Sequence, residues 1–209
     1  MVTVNIFKGE ISMKKNSSVR KIAVTAVMSA MAIVLMFLDF SIPIMPSFIK
    51  LDFSELPGLI TSFALGPVWG IAVCFIKNLI IGLIKTQTGY IGELSNFILG
   101  ATFVAIAGLV YQRKKSRKSA LIGALLGALA MAAISLPSNY FVIYPIYTKM
   151  MPIEAILGMY QAIWGGATSL LKALIIFNVP FTFFKGLCNA LLTFLIYKKI
   201  SPILKGKDI

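Results

Sequence analysis

The feature that most constrains this chain is a series of long apolar stretches separated by short polar segments. Its 209 residues are 58% hydrophobic and only 13% charged, with a mean hydropathy of +0.90. A helix needs about 20 apolar residues to cross the hydrocarbon core of a bilayer, and several stretches approach or exceed this length. An outer-membrane barrel would instead show alternating segments of about ten residues, which the sequence lacks. The chain is therefore predicted to be an all-α, polytopic membrane protein.

Prolines, glycines and charges divide the apolar sequence into six predicted transmembrane helices. Pro43 and Pro46 prevent the first helix from continuing, and Leu65-Gly66-Pro67 ends the second helix and begins the third. A short interfacial helix is expected over 153–164. The predicted spans are approximately 21–38, 55–65, 67–84, 93–111, 119–147 and 180–200. The chain then has an N-terminal segment 1–20, one helical domain 21–204 and a tail 205–209.

Lysine and arginine cluster at the ends of the predicted spans, at 8–21, 113–118 and 198–207. Cytoplasmic loops of membrane proteins carry an excess of these residues, so both termini and the loop after the fourth span are predicted to be cytoplasmic. This orientation requires the break at Gly66, because one helix over 55–84 would place Arg113 outside. The formal charge of +13 is thus explained by the orientation of the chain in the membrane. Nucleic acid is excluded as a partner, since no soluble segment is long enough to form a basic face.

Lys185 lies inside the last apolar stretch, where an ammonium group costs about 2.5–3.5 kcal/mol unless it is compensated. Asn189 follows four residues later and shares its helix face. This polar pair predicts a functional site. A membrane-embedded enzyme using Lys185 as nucleophile or proton carrier is one alternative. However, the chain has no histidine, no carboxylate pair on one helix face and no metal-ligand spacing, so we expect neither enzymatic activity nor a metal site.

Polar residues from separate segments are predicted to converge in the outer half of the helix bundle. At about 1.5 Å per residue, Lys185 and Asn139 lie in the outer halves of their helices, and Glu93 and Asn96 begin the fourth span at the outer surface. The first outer loop and its end add further charged groups: Asp39, Lys50, Asp52 and Glu55. Apolar walls with a few placed polar groups are typical of a ligand pocket, which is the site predicted here.

Structural roles remain open for several of these residues. Lys77, deeper in the third span, either snorkels or pairs with a nearby acid, or it belongs to the site. Asn139 can hydrogen-bond across helices, and Glu93 can stabilise a helix start through the helix dipole. Several aromatic residues are expected to form an interfacial belt: Tyr140, Tyr144, Tyr147 and Trp164. Lys185 is the residue that a structural role explains least well.

Small residues form one face of the first span. Ala26 and Ala30 make a small-xxx-small motif, with Ala23 and Ser29 close by. Such residues let two helix backbones approach closely. We therefore expect this face to pack against another helix.

Several short motifs, taken in order, resemble a known family. They are Leu51-Asp-Phe-Ser-Glu-Leu-Pro57, Phe63-Ala-Leu-Gly-Pro67 with Lys77-Asn78, Gly92-Glu-Leu-Ser-Asn96, Asn139-Tyr-Phe with Tyr144-Pro, and Pro180-Phe-x-x-x-Lys185-Gly. Together they resemble the riboflavin-specific substrate-binding (S) components of energy-coupling factor (ECF) transporters, over nearly the whole chain from Arg20. The resemblance implies six helices in a bacterial plasma membrane that capture riboflavin at the outer side, beneath the loop after the first span.

The resemblance also implies roles for individual residues. Asn139 and Lys185 match positions that contact the flavin, and Leu51 lies in the covering loop. The face of Ala26 and Ala30 matches the surface that docks on a transmembrane coupling subunit, which two ATPase subunits drive. The chain itself has no Walker A motif, so the energy for uptake would come from these partners. One departure is Thr182, where the family often has Asn; a hydroxyl offers fewer hydrogen bonds than an amide.

A flavin suits these residue types chemically. The isoalloxazine ring is flat and largely apolar, with acceptors and one imide donor along one edge, while Asn offers both donor and acceptor and Lys offers donors only. The ribityl chain needs further polar partners, which we assign to Asp52, Glu93, Asn96 and Thr182. Riboflavin is expected as the transported ligand, with no cofactor. An S component for another vitamin, such as thiamine or folate, and a stand-alone facilitator remain alternatives of the same class.

Overall fold

The protein is mostly helical, as predicted, in a computed structural model that describes the backbone of residues 4–205 and the side chains of residues 18–196. Most of the predicted N-terminal segment 1–20, and the basic residues before 18 and after 196, lie outside the described side chains. Within residues 4–205, two short strands and nine α-helices follow one another, with two π-helical turns, π1 and π2. In chain order they are α1 (Val4–Phe37), β1 (Phe40–Ser41), β2 (Lys50–Leu51), α2 (Glu55–Leu65), α3 (Pro67–Lys85), α4 (Ile91–Arg113), α5 (Arg117–Ser138), π1 (Asn139–Ile143), α6 (Tyr144–Tyr147), α7 (Ile153–Gln161), α8 (Leu170–Ala173), π2 (Leu174–Asn178) and α9 (Val179–Lys205).

Five helical stretches among the described residues are long and apolar enough to cross a membrane: Ser18–Phe37, Pro67–Lys85, Ile91–Arg113, Arg117–Tyr147 and Leu170–Ile196. The predicted break at Gly66 is confirmed, since this glycine has φ +115° and Pro67 opens the next helix. The remaining predicted span is α2, an apolar helix of 11 residues. At 1.5 Å per residue it rises about 16 Å, roughly half of a bilayer core. The count of six crossings is therefore not confirmed by helix length.

The last long helical stretch begins at Leu170, about ten residues before the predicted start near Pro180, so that boundary was wrong. Ser169 caps the new start by accepting a hydrogen bond from the Lys172 backbone N–H. Pro180 lies inside the helix because π2 precedes it, with the Val179 N–H donating to the Leu174 carbonyl five residues back. The wider turn accommodates a proline that lacks its own N–H.

The predicted loop over 39–53 contains a small antiparallel hairpin that the sequence did not indicate. Phe40 lies opposite Leu51, and Ser41 lies opposite Lys50. The hairpin returns the chain to the bundle, where β2 leads directly into the buried Asp52 and then into α2. The predicted short helix near 153–164 is confirmed as α7.

Small residues set the distance between α4 and α5. A Cβ atom on Gly127 would lie 2.6 Å from the Phe103 carbonyl oxygen, and one on Gly123 would lie 2.7 Å from that of Ala107. Both distances are shorter than any ordinary contact, so the two backbones touch at these glycines. This small-xxx-small packing is the arrangement that membrane helices use for close approach.

Among the described residues, Ala26 and Ala30 of α1 do not pack against another helix. Ala26 and Ala30 are exposed, whereas Met28 and Ala32, on the opposite side, pack into a buried cluster with Ile60 of α2. The expected helix partner of the Ala26–Ala30 face is therefore absent from the described part of the chain.

We predict that Gly127→Ala lowers the stability of the bundle by about 1–3 kcal/mol, because the new methyl group overlaps a backbone carbonyl of α4 that cannot move aside. The measurement is thermal unfolding in detergent. Gly158→Ala in α7 is the matched control, since a Cβ there meets nothing within 4 Å and alanine favours a helix. Equal melting temperatures for the two variants would contradict the close α4–α5 packing.

Candidate functional site

One cavity lies at the end of the bundle beneath the hairpin, and six of the predicted site residues line it. These are Asp52, Glu93, Asn96, Asn139, Thr182 and Lys185. Its apolar walls come from several helices and the hairpin, and include Phe48, Ile81, Leu99, Met131, Ile143 and Phe181. The predicted convergence of polar groups from distant segments is therefore present. Apolar walls around a few polar groups suit a small organic ligand.

Lys185 is compensated by a carboxylate. Its Nζ lies 2.7 Å from Asp52 Oδ2 and 3.3 Å from Asn96 Oδ1. The other carboxylate oxygen of Asp52 accepts from the Ser54 backbone N–H at 2.9 Å and also from its hydroxyl. The sequence grouped Lys185 with Asn139 and Glu93 by depth, and the structure shows Asp52 as its ion-pair partner. Such a pair avoids the cost of an isolated charge in an apolar bundle.

The charge of Asp52 is maintained by its neighbours. Burial alone would raise the pKa of this carboxyl, but the positive charges of Lys185 and then Lys77 outweigh that effect and lower the pKa to about 2. Asp52 therefore remains an anion over the physiological pH range. Its side chain forms part of the cavity wall with both oxygens already hydrogen-bonded.

A second buried ion pair lies beside the first. Lys77 Nζ is 2.7 Å from Glu55 Oε1 and 2.5 Å from Ser54 Oγ, and both charged side chains are fully buried. Of the alternatives for Lys77, pairing with a nearby acid is thus the one observed. Neither member lines the cavity. Ser54, which also contacts Asp52, joins the two pairs into one network.

Two predicted ligand residues, Leu51 and Asn189, are not among those lining the cavity. Asn189 does share a helix face with Lys185, and its Nδ2 donates to the Lys185 carbonyl at 3.0 Å and to the Asp52 carbonyl at 3.3 Å. Asn189 therefore links the backbones of the two residues that form the ion pair. Leu51 is buried in β2, directly before Asp52. Their contact with a ligand stays a prediction.

The polar residues of α4 and π1 are oriented by local hydroxyl groups. Glu93 Oε2 accepts from Thr86 Oγ1 and Thr88 Oγ1, each at 3.2 Å. Asn139 Oδ1 accepts from Ser95 Oγ at 3.3 Å. Glu93 lies in the first turn of α4 and lines the cavity as well, so its two proposed roles are compatible.

The structure adds polar cavity residues that the sequence did not predict as ligand residues. Asn178 lines the cavity from π2, and Tyr144, assigned to an interfacial belt, is buried and lines it too. Tyr140 and Trp164 are exposed, in agreement with a belt. The available signal for Asn178 was a single amide within the apolar run 174–179, two residues before Pro180.

Charged residues at the cavity rim tie the hairpin to the bundle. Asp39 lies 3.3 Å from both Lys50 and Lys85, and Lys50 also donates to Gln87 Oε1 at 3.2 Å. These groups are partly exposed, so each pair contributes less than about 1 kcal/mol. Together they connect β2 with the end of α3 and the loop that follows it.

An all-helical bundle of membrane-spanning length with a polar-lined cavity at one end defines a membrane protein built to hold a small molecule. A family profile described as the substrate-specific component of ECF transporters matches residues 20–197, and the chain belongs to this family. The resemblance seen in the motifs is thereby confirmed.

Relatives and a solved structure agree with this assignment. Riboflavin transporter RibU of Staphylococcus aureus (strain TCH60) is 31% identical over 197 residues, covering 94% of this chain and 96% of that protein. Riboflavin transporter FmnP of Bacillus subtilis (strain 168) is 32% identical over 187 residues, covering 88% and 93%. A solved structure described as the S component of a bacterial ECF transporter has a TM-score of 0.71 and 31% identity, covering 90% of this chain and 99% of the other.

We predict that Lys185→Met destabilises the protein by about 3–5 kcal/mol, because it leaves the Asp52 carboxylate buried without its counter-ion. Thermal unfolding in detergent measures the effect. Adding Asp52→Asn should recover part of the loss, since the remaining charge is then removed as well. Lys50→Met at the rim is the control and should cost less than about 1 kcal/mol. Strictly additive effects of Lys185→Met and Asp52→Asn would contradict the pairing.

Proposed function

We propose that this chain captures riboflavin in the cavity beneath the hairpin, for uptake by an ATP-driven ECF transporter. The observation that carries the proposal is the convergence of Asn96, Asn139 and Lys185 on one cavity with apolar and aromatic walls. Membership of the ECF substrate-specific components supports the role of a substrate-binding subunit, and relatives of similar length that are named riboflavin transporters support the ligand. The chain acts in this proposal as a transporter subunit rather than an enzyme.

The arrangement of donors and acceptors supports this ligand. The Lys185 ammonium has three N–H donors, and Asp52 and Asn96 use two of them. The third can bind a carbonyl oxygen of the isoalloxazine ring, as can the amide of Asn139. Asn96, Thr182 and Glu93 remain our candidates for the ribityl hydroxyls, and Leu51 for covering the ligand. Asp52 and Asn189 serve mainly to hold Lys185 in place.

We further propose a bacterial plasma-membrane protein with both termini in the cytoplasm and six crossings, of which α2 contributes the short one. Five basic residues surround the connection between α4 and α5, with no acidic residue among them: Arg113, Lys114, Lys115, Arg117 and Lys118. The cavity lies at the opposite ends of these helices, near Asn96 and Asn139. By the positive-inside rule, the cavity then opens outward.

The Ala26–Ala30 face of α1 is our candidate for the surface that docks on the transmembrane coupling subunit, which two ATPase subunits drive. Both alanines are exposed in this chain, although their motif suits close helix packing. The cavity-lining part of α1 is instead Met36, near the end of the helix. Docking and ligand binding therefore use different parts of α1.

We predict that the purified protein quenches riboflavin fluorescence, and that Asn139→Ala weakens binding at least about tenfold because a buried ligand amide or carbonyl loses its partner. Asn78→Ala is the matched control, since Asn78 is equally buried but lies outside the cavity. Thiamine and folate should not compete. Unchanged riboflavin fluorescence at micromolar protein, or competition by thiamine or folate, would contradict this ligand.

We predict that Ala26→Leu and Ala30→Leu reduce riboflavin uptake by cells several-fold while leaving riboflavin affinity unchanged, because the larger side chains hold the coupling subunit away. Uptake of labelled riboflavin and fluorescence titration measure the two effects separately. Ala133→Leu, at an exposed position of α5, is the control and should affect neither. Loss of binding together with uptake would show that α1 builds the cavity rather than the docking surface.

A further inference from the structure

Two tyrosines and an asparagine close a ring of hydrogen bonds beside the cavity. Tyr144 Oη lies 2.5 Å from Tyr160 Oη, Tyr160 Oη lies 2.6 Å from Asn178 Oδ1, and Asn178 Nδ2 lies 3.3 Å from Tyr144 Oη. All three side chains are buried. Tyr144 and Asn178 line the cavity, whereas Tyr160, from α7, does not. Tyr160 would therefore act on a ligand only through Tyr144 or Asn178.

The direction of every hydrogen bond in the ring follows from the orientation of the Asn178 amide together with the number of protons available. Tyr160 has one hydroxyl proton, and it is donated to the carbonyl oxygen of Asn178. The bond between the two phenols must therefore use the proton of Tyr144. The Asn178 amide completes the ring by donating to Tyr144 Oη. With its proton committed to Tyr160, Tyr144 can offer a ligand only an acceptor.

The ring also joins the two π-turns of the bundle. Tyr144 directly follows π1 and Asn178 ends π2, and a proline comes shortly after each turn, at positions 145 and 180. π-turns shift the direction of the side chains that follow them and often occur at functional sites. Here they bring Asn139 and Asn178 to the same cavity. Tyr160 connects the turns through hydrogen bonds to both Tyr144 and Asn178.

We infer that Tyr160 is a positioning residue for the ligand site: by taking the proton of Tyr144, it keeps the Tyr144 oxygen as an acceptor for a hydroxyl of the ligand. The inference rests on the proposed function. The flavin ring has a single imide N–H donor, whereas the ribityl chain has several hydroxyl donors. An acceptor fixed in the cavity wall therefore suits the ribityl chain, and it favours a ligand that carries this chain over the bare ring.

The test compares riboflavin with lumiflavin, which has the same ring and a methyl group in place of the ribityl chain. Tyr160→Phe preserves the ring packing of Tyr160 but removes its hydroxyl, so the Tyr144 proton is no longer held away from the ligand. We expect riboflavin affinity to fall about five- to tenfold and lumiflavin affinity to change less than about twofold. Tyr140→Phe, an exposed position of π1, is the control and should change neither.

Tyr144→Phe removes the acceptor itself and should reduce the preference for riboflavin over lumiflavin by a similar factor. Because Tyr160 acts through Tyr144, the double variant should bind riboflavin no more weakly than Tyr144→Phe alone. Tyr144→Phe also serves as the test if Tyr160→Phe does not fold.

The outcomes separate this inference from the function on which it rests. Unchanged riboflavin affinity in Tyr160→Phe or in Tyr144→Phe would overturn the inference. An equal loss for riboflavin and lumiflavin would overturn it too, because that result indicates a general structural role. Failure of the wild-type protein to bind either flavin would instead contradict the proposed ligand.

Discussion

The ion pair between Asp52 and Lys185 is the interaction on which the rest of the structure depends. It joins residues 133 positions apart and fixes the end of the hairpin against the last helix. Through Ser54 it continues to Lys77 and Glu55, so that α2, α3 and α9 meet at one buried network. Charges in an apolar bundle must be paired, and pairing them here also builds the cavity wall. Fold and site therefore share the same contacts.

Most of the helical architecture was predictable because its signals are local. Gly66 and Pro67 marked the break between two helices. The lengths of the apolar stretches and the positions of the charged residues located the other helices. Pro180 was misread as a helix start because proline usually interrupts a helix. Whether a π-turn accommodates it depends on tertiary packing around Asn178, which a local pattern does not contain. The hairpin could not be predicted because each of its strands has only two residues.

The candidate site was predictable in its location but not in its internal contacts. Depth estimates brought Asn96, Asn139 and Lys185 to one level, and all three line the cavity. The partner of Lys185 could not be identified because several acids occur in the first loop and nothing local ranks them. Tyr144 was assigned to a belt, since aromatic residues near a helix end usually lie at the interface. Its burial arises from α7, whose Tyr160 reaches it from outside the long helices.

The charged groups around the cavity cancel one another. Three carry a formal negative charge and three a positive charge: Asp39, Asp52, Glu93, Lys50, Lys85 and Lys185. The deeper Lys77 and Glu55 cancel as well. Moving one net charge through a membrane potential involves about 2.3 kcal/mol per 100 mV, but an uncharged vitamin in a charge-balanced cavity moves none. Neither loading nor release of the cavity would then draw on the electrical gradient, so the membrane potential would not set the direction of transport.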